Sequence, residues 1–222
     1  FSDPKITCRA LKTEEVEHLK VTVGSVLVPD GVKLVLIEWD NEREADGRIR
    51  TALRVHPREC LACRTPTLPT EVSDAEGFIR PTRRQTTVEI LEPRNGEVAT
   101  LYEMGIPVVA TGDRWHVNVL QKIPLNTDRD NVTPSYLREI RAVVLNAMSD
   151  KLFEADAKQP WVNEALESPN IEPETIKDVI QTRYGDRVVI SDPSDPEGTK
   201  MAVAAGYDVT VYDLMLFGSQ GL

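Results

Sequence analysis

Several features that would assign the chain to a well-defined class are missing or scarce. No apolar run is long enough to span a bilayer, so we expect neither a membrane span nor a signal peptide. Cysteine is scarce: three residues, an odd number, argue against a disulfide scaffold and favour a reducing compartment, so we expect a cytoplasmic protein. The phosphate-binding pattern GxxxxGK[ST] is absent, which argues against a P-loop nucleotide site.

The composition is that of an ordinary globular protein. The 222 residues are 41% hydrophobic and 28% charged, enough for one large domain or two small ones. Thirty-six acidic against twenty-six basic residues give a net charge of −10, which argues against a broad electrostatic grip on nucleic acid. A local basic patch at Arg80, Arg83 and Arg84 could still hold a phosphate, or could be a solvated strand edge. Since the first residue is Phe, we expect a piece of a longer chain.

The N-terminal quarter predicts a strand, a helix and a hairpin. Residues 1–12 suit an extended strand, and Thr13 suits the N-cap of a helix. Gly31–Trp39 and Arg48–Val55 alternate in polarity around a charged turn at Asp40–Gly47, which predicts a hairpin. The apolar positions of the helix predict a buried stripe at Val16, Leu19, Val23 and Val26.

Residues 56–81 are rich in proline and predict irregular structure. They contain His56, Cys60 and Cys63 in the pattern HxxxCxxC, and Cys8 could complete a tetrahedral zinc site. One CxxC pair is a weak indication of zinc, because structural sites usually have a second pair. A redox pair and plain loop cysteines are the alternatives.

Residues 31–120 predict five or six strands in mostly consecutive antiparallel order, with helices covering one face of the sheet, which is α+β layering. The strands of its second half are separated by turns such as Pro93–Gly96, which contains the hairpin dipeptide Asn-Gly. They are predicted at Gln85–Glu92, Val98–Met104, Gly105–Val109 and Trp115–Leu120.

After Met148 the sequence becomes charged and is interrupted by Pro160 and Pro169. We therefore predict one domain over residues 1–150 and a small α/β subdomain over residues 151–222. Pro173 opens a helix that Gly185 ends. The strand, helix and strand that follow, ending at Tyr212, form a βαβ pattern that predicts parallel neighbours.

The stretch from Trp115 to Met148 is the most informative. A strand with His116 facing solvent or a neighbour is followed by Pro124, by a polar loop at Leu125–Asn131, and by a helix with Thr133 at its N-cap. The loop carries Arg129, so one cation is presented from a short bend between a strand and a capped helix. A salt bridge within the loop, to either neighbouring aspartate, is the alternative role for it.

The pattern Pro124-Leu125-Asn126-x-x-Arg129 followed by a helix resembles the catalytic loop of the GHKL ATPases, the family of gyrase B, MutL and the Hsp-ninety chaperones. The resemblance is closest to the middle segment of the chaperones, and residues 78–148 also resemble prokaryotic and phage GHKL-like proteins. It implies that Arg129 contacts the γ-phosphate of ATP and that Asn126 shapes the loop. Lys122 is the reserve candidate, by similarity to the Gln-x-Lys loop of gyrase B. The chaperones carry a glutamine where this chain has Thr133.

The same resemblance implies a transducer domain with a sheet of the ribosomal-protein-S-five second-domain type, followed by a small α/β layer. The family's ATP-binding motifs, an Asn on a helix and Asp-x-Gly-x-Gly, are absent from this sequence. We therefore expect ATP and Mg²⁺ to be held by an upstream ATP-binding domain, no cofactor in this chain, no hydrolysis by this chain alone, and a homodimer at full length. The alternatives are a non-catalytic interaction module of the same fold and a small zinc-stabilised binding protein.

Overall fold

A computed structural model describes residues 11–39, 49–126, 131–191 and 194–211. The chain divides into two compact units, residues 1–59 with 105–107, and residues 60–104 with 108–222. This division lies elsewhere than residue 150, where a domain boundary is predicted from sequence, and that boundary stays a prediction. The entry strand predicted at residues 1–12 and the turn predicted at Asp40–Gly47 fall almost wholly outside the described residues.

The first unit contains the hairpin that the sequence predicts. Strand β1 (Leu34–Trp39) pairs antiparallel with β2 (Ile49–Val55), and the register shifts by one residue between Leu36 and Ile37. Such a bulge strengthens the local twist of the ribbon.

Helix α1 (Thr13–Gly24) begins at the predicted place, but its N-cap is Lys12 rather than Thr13. The backbone N–H of Lys12 donates to the Glu15 carboxylate at 2.8 Å, so the glutamate holds the first turn. The predicted buried stripe is wrong: no residue of α1 is buried, and Leu19 is 38% exposed.

The strands from Cys60 onward are β3 (Cys60–Arg64), β4 (Thr67–Ser73), β5 (Ile79–Gln85), β6 (Val88–Leu91), β7 (Thr100–Glu103), β8 (Ile106–Ala110) and β9 (His116–Val119). The second unit is built on a mixed sheet of five of them, in the order β3, β6, β9, β7, β8. Strand β9 lies between an antiparallel neighbour, β6, and a parallel one, β7. The predicted consecutive antiparallel order is therefore wrong in this half of the chain, because β9 pairs beside β7 rather than beside β8, the strand that precedes it.

The proline-rich segment is regular, which corrects the prediction of irregular structure at residues 56–81. Strands β4 and β5 form a separate two-stranded antiparallel ribbon in which Pro69 lies opposite Arg83 and Pro81 lies opposite Glu71. Each strand of such a ribbon has one unpaired edge, and a proline whose missing N–H faces that edge removes no ladder hydrogen bond. The single strand predicted at Gln85–Glu92 is split between β5 and β6.

The C-terminal half is mostly helical. Helix α5 begins at Pro173 and ends before Gly185, whose φ of 90° suits glycine, as predicted. The parallel pairing of β10 with β11 across α6 is also confirmed. The elements are α2 (Pro134–Met148), a 3-10 turn (Ser149–Lys151), α3 (Glu154–Ala157), α4 (Pro160–Leu166), α5 (Pro173–Tyr184), β10 (Val188–Ser191), α6 (Pro196–Ala204) and β11 (Asp208–Val211). Among the described helices, none combines the length and the apolar character needed to cross a bilayer.

Sheet and helices share one hydrophobic core in this unit, so the fold is mixed α+β. The core includes Val117 on β9, Ile140 on α2, Val162 on α4 and Val179 on α5. Removing that apolar surface from water stabilises the fold by roughly 25 cal/mol per Å².

Strand β9 is buried along its whole length, whereas the sequence predicts a half-buried strand with His116 at the surface or against a neighbour. His116 is 1% exposed; its Nδ1 accepts from the Thr100 N–H at 3.0 Å, and its Nε2 lies 3.2 Å from the Glu97 carboxylate. Asn118 donates to the Glu89 carboxylate at 2.7 Å. The polar residues of the strand are buried because each has a partner.

Arg141, a buried cation on α2, is paired with two carboxylates, one on the segment before β9 and one on α4. Arg141 is 9% exposed; its Nε and Nη2 donate to the Asp113 carboxylate at 2.9 and 2.8 Å, and its Nη1 donates to Glu164 on α4. Burial alone would lower the pKa of Arg141, but the two carboxylates raise it. Burial raises the pKa of the Asp113 carboxyl, and the guanidinium opposes that rise. Removing either charge of the Arg141–Asp113 pair would leave the other buried without a partner, which destabilises the fold.

Replacing the buried arginine should be costly. We expect Arg141→Met to lower the free energy of unfolding by about 3–5 kcal/mol, because Asp113 would keep a buried charge without its partner. Urea unfolding followed by circular dichroism measures this loss.

The matched control is Arg138→Met on the same helix. The side chain of Arg138 is 45% exposed, and its ion pair with Glu167 is long at 3.6 Å. We therefore expect the free energy of unfolding to change by about 0.5 kcal/mol or less. Equal losses in the two variants would contradict the role given to Arg141.

Candidate functional site

The loop between β9 and α2 is the candidate site. Arg129 lies among residues 127–130, outside the described residues, so its predicted role stays a prediction. Asn126 and Lys122 are described, and so are both ends of the loop. The structure therefore shows how the bend that carries Arg129 is held, and what the other two candidates contact.

The two ends of the loop are joined in an antiparallel pair, which we call the loop base: Leu125, Asn126, Asn131 and Val132. Leu125 and Val132 form a β-bridge. The Asn126 N–H donates to the Asn131 carbonyl at 2.9 Å, and the Asn131 N–H donates to Oδ1 of Asn126 at 3.3 Å. The side chain of Asn126 thus accepts one of the hydrogen bonds that join the two ends of the loop, and its loop-shaping role in the family's sense stays a prediction.

The strand side of the loop is attached to β4 in the ribbon. Thr70, 4% exposed, donates from Oγ1 to the Lys122 carbonyl at 2.8 Å. The Gln121 side-chain amide donates to the carbonyls of Pro69 at 3.2 Å and Leu68 at 3.4 Å. These contacts join residues more than fifty positions apart in the chain, and no sequence pattern indicates them.

A further attachment comes from β7. The N–H of Ile123, a fully buried residue, donates to the Glu103 carboxylate at 2.6 Å. A hydrogen bond to an ionised acceptor is stronger than one between neutral groups. The backbone just before the loop base is therefore held from two strands, β4 and β7.

The helix side of the loop is held by packing rather than by a cap. Thr133 occupies the N-cap position and Pro134 the first helical position, as predicted, but the Thr133 side chain makes no capping hydrogen bond. Tyr136 in the first turn is 1% exposed. Its hydroxyl has no hydrogen-bond partner among the described residues, and burial raises the pKa of the phenol. Gln121 lies close enough to oppose that rise in part, without hydrogen-bond geometry.

Lys122, the reserve candidate, has a carboxylate partner. Its Nζ lies 2.7 Å from the Glu71 carboxylate on β4, and its side chain is 38% exposed. To reach a ligand, Lys122 would have to break this ion pair as well as turn away from the ribbon.

Two arginines of the predicted basic patch are also paired with acids. Arg80 donates to Asp74 at 2.7 Å. Arg83 makes a bidentate contact with Glu139 of α2, at 2.7 and 3.2 Å, and Glu139 raises the pKa of Arg83. These partners favour the solvated-edge interpretation of the patch over phosphate binding.

The CxxC pair lies on a strand, which corrects the interpretation as loop cysteines. Cys60 and Cys63 are both exposed on β3, with their sulfur atoms 2.9 Å apart. Within the described residues, no group of three or more His, Cys, Asp or Glu side chains could hold a metal ion. Cys8, the fourth ligand in the zinc hypothesis, falls outside that part of the chain.

No protein-family model, no curated protein and no solved structure matches this chain. The resemblance of the loop motif to the GHKL ATPases therefore remains a prediction based on those residues.

The attachment of the loop to β4 can be tested with an isosteric change. We expect Thr70→Val to lower the free energy of unfolding by about 1 kcal/mol, because the Lys122 carbonyl loses its donor. We also expect the Ile123 and Val132 amides to exchange faster with solvent deuterium, as measured by hydrogen-exchange NMR.

Thr82→Val is the matched control, since Thr82 lies directly opposite Thr70 in the ribbon and loses the same hydroxyl. Exchange that is unchanged at Ile123 in Thr70→Val, or equally faster in both variants, would show that this hydrogen bond does not hold the loop.

Proposed function

We propose that the chain is a transducer segment of a GHKL-type ATPase, which supplies Arg129 to the γ-phosphate of ATP bound by an upstream domain. The observation that carries the proposal is the attachment of the bend. The loop base is closed by paired asparagines, and the backbone leading into it is bonded to β4 and β7. A side chain that must meet a ligand held by another domain needs a rigid support of this kind.

The contacts favour Arg129 over Lys122 as the phosphate-contacting group. Lys122 is engaged by Glu71, so its charge is already balanced within this chain. Asn126 has a shaping role through its bond to Asn131. That leaves Arg129 as the group of the motif to which the proposal assigns the contact with the γ-phosphate.

The chemistry follows from where charge develops. Hydrolysis of ATP, bound with Mg²⁺ by the upstream domain, redistributes negative charge over the γ-phosphate oxygens and the leaving group. A guanidinium that arrives only when the domains close stabilises that charge and couples hydrolysis to movement. In this proposal the full-length protein is a cytoplasmic homodimer of prokaryotic or phage origin, and this chain alone does not hydrolyse ATP.

The sheet is compatible with a fold of the ribosomal-protein-S-five second-domain type, which we include in the proposal. Its support is a mixed sheet followed directly by the helix of the candidate loop, with a parallel βαβ unit further on. The helix α2 packs in the same core as the central strand, which would let a force on the loop reach the sheet.

Hydrolysis tests the role of the arginine. In the protein extended upstream to include its ATP-binding domain, we expect Arg129→Ala to lower kcat by about 100-fold or more, with a smaller change in the affinity for ATP. Steady-state phosphate release and nucleotide-binding titration measure the two effects.

Arg138→Ala is the matched control, because it removes a half-exposed arginine from the helix that follows the loop, and its kcat should stay near that of the unaltered protein. Lys122→Ala separates the two candidate cations. If kcat falls in Lys122→Ala and is unchanged in Arg129→Ala, then Lys122 rather than Arg129 contacts the γ-phosphate. Unchanged hydrolysis in both variants would leave a non-catalytic interaction module.

A further inference from the structure

The two cysteines of β3 share one face of the strand because of a bulge. In a regular strand, residues three positions apart point to opposite faces. Here Cys60 lies opposite Leu91 and Ala62 lies opposite Ile90, so Leu61 is an extra residue in the ladder with β6. The extra residue reverses the alternation, and Cys60 and Cys63 come to lie side by side.

The contacts of the two sulfur atoms show which thiol donates and which accepts. Cys60 Sγ lies 2.9 Å from Cys63 Sγ and 3.1 Å from the Ala62 carbonyl oxygen. The carbonyl can only accept, so the Cys60 thiol donates to it, and the Cys63 thiol is then left to donate to Cys60 Sγ. A thiolate on Cys60 would still accept the hydrogen bond from Cys63, while giving up its own donation to the Ala62 carbonyl.

Reagents in solution can reach both sulfur atoms. Strand β3 is at one edge of the five-stranded sheet, and both cysteine residues are exposed. The ladder with β6 continues past the bulge, with Cys63 opposite Glu89 and Arg64 opposite Val88. To form a disulfide, the two sulfur atoms would have to close from 2.9 Å to about 2.05 Å.

We propose that Cys60 and Cys63 are a redox-active dithiol that forms an intramolecular disulfide by exchange with a small-molecule disulfide. The inference is independent of the function proposed for Arg129. It assigns a modification site to a segment that takes no part in the candidate loop.

The exchange balances in two steps. The Cys60 thiolate attacks one sulfur of the disulfide RSSR, which forms a Cys60–S–S–R bond and releases RS⁻, which takes up a proton to give RSH. The Cys63 thiol then loses its proton to solvent and attacks Cys60 Sγ, which releases the second RSH. The two cysteines are oxidised by two electrons in total, and one RSSR is reduced to two RSH.

The electrostatics give the order of attack. The hydrogen bond with Cys60, together with burial and the charges of Cys60 and Glu89, raises the pKa of the Cys63 thiol to about 11. The thiolate is the nucleophile, so Cys63 reacts slowly as the first attacker. Its proximity to Cys60 still makes it an effective second attacker, because that step is intramolecular.

The proposal is tested on the whole chain with glutathione disulfide as the probe. The protein is reduced, freed of reductant, incubated with the probe, quenched with acid and alkylated, and its intact mass and peptide map are read. We expect the unaltered protein to lose two hydrogens, to retain no glutathione, and to give a peptide linking Cys60 to Cys63. We expect Cys63→Ser to retain one glutathione on Cys60, and Cys8→Ser to behave as the unaltered protein.

Two comparisons make the test sharper. With a limiting alkylating reagent, Cys60 should be labelled several-fold faster than Cys63, since the raised pKa of the Cys63 thiol leaves less of it as the reactive thiolate. In denaturing urea, the ratio of bridged to glutathione-bound chain should fall about tenfold or more, because the bulge no longer holds the sulfur atoms together.

Three results would overturn the inference: a stable mixed disulfide in the unaltered protein, a bridge that uses Cys8, or an equal yield of bridge in urea.

Discussion

The structure depends on the central position of β9. A strand with hydrogen-bonded neighbours on both sides, buried on both faces, leaves the sheet at a fixed point and in a fixed direction. The chain that leaves it, residues 121–123, is then held by Thr70 from β4 and by Glu103 from β7. Leu125 and Val132, at the two ends of the loop that follows, form a β-bridge, and helix α2 packs in the same core as β9.

Buried polar groups give this arrangement its specificity. Arg141 donates to two carboxylates. His116 and Asn118, which share the polar face of β9, are each paired with a glutamate. Each such group costs free energy unless its partner is in place, so a strand or helix shifted by one residue would leave several of them unpaired. The apolar core favours collapse, and the polar partners select one register.

The local predictions from sequence were the more accurate ones. Pro173 and Gly185 mark the two ends of α5, Thr133 occupies the N-cap of α2, and β10 lies parallel to β11. The helix ends depend on backbone geometry within a few residues, and the parallel pairing follows from the single short helix that connects the two strands. The strand order and the burial of both faces of β9 were missed, because they depend on which distant strands flank β9. The ribbon of β4 and β5 was missed because its prolines suggested a break, whereas a two-stranded ribbon has free edges that accept them.

Of the candidate site, the sequence by itself determined the motif and its local setting: a strand, a polar bend with Asn126 and Arg129, and a helix started by a proline. It also placed Cys60 and Cys63 three residues apart. Only the tertiary structure decided that the bend is anchored to two other strands, that Lys122 is paired with Glu71, and that the two sulfur atoms meet. The physical reason is the same in each case: propensity and capping act over a few residues, whereas ladder register and side-chain pairing are set by segments far apart in the chain.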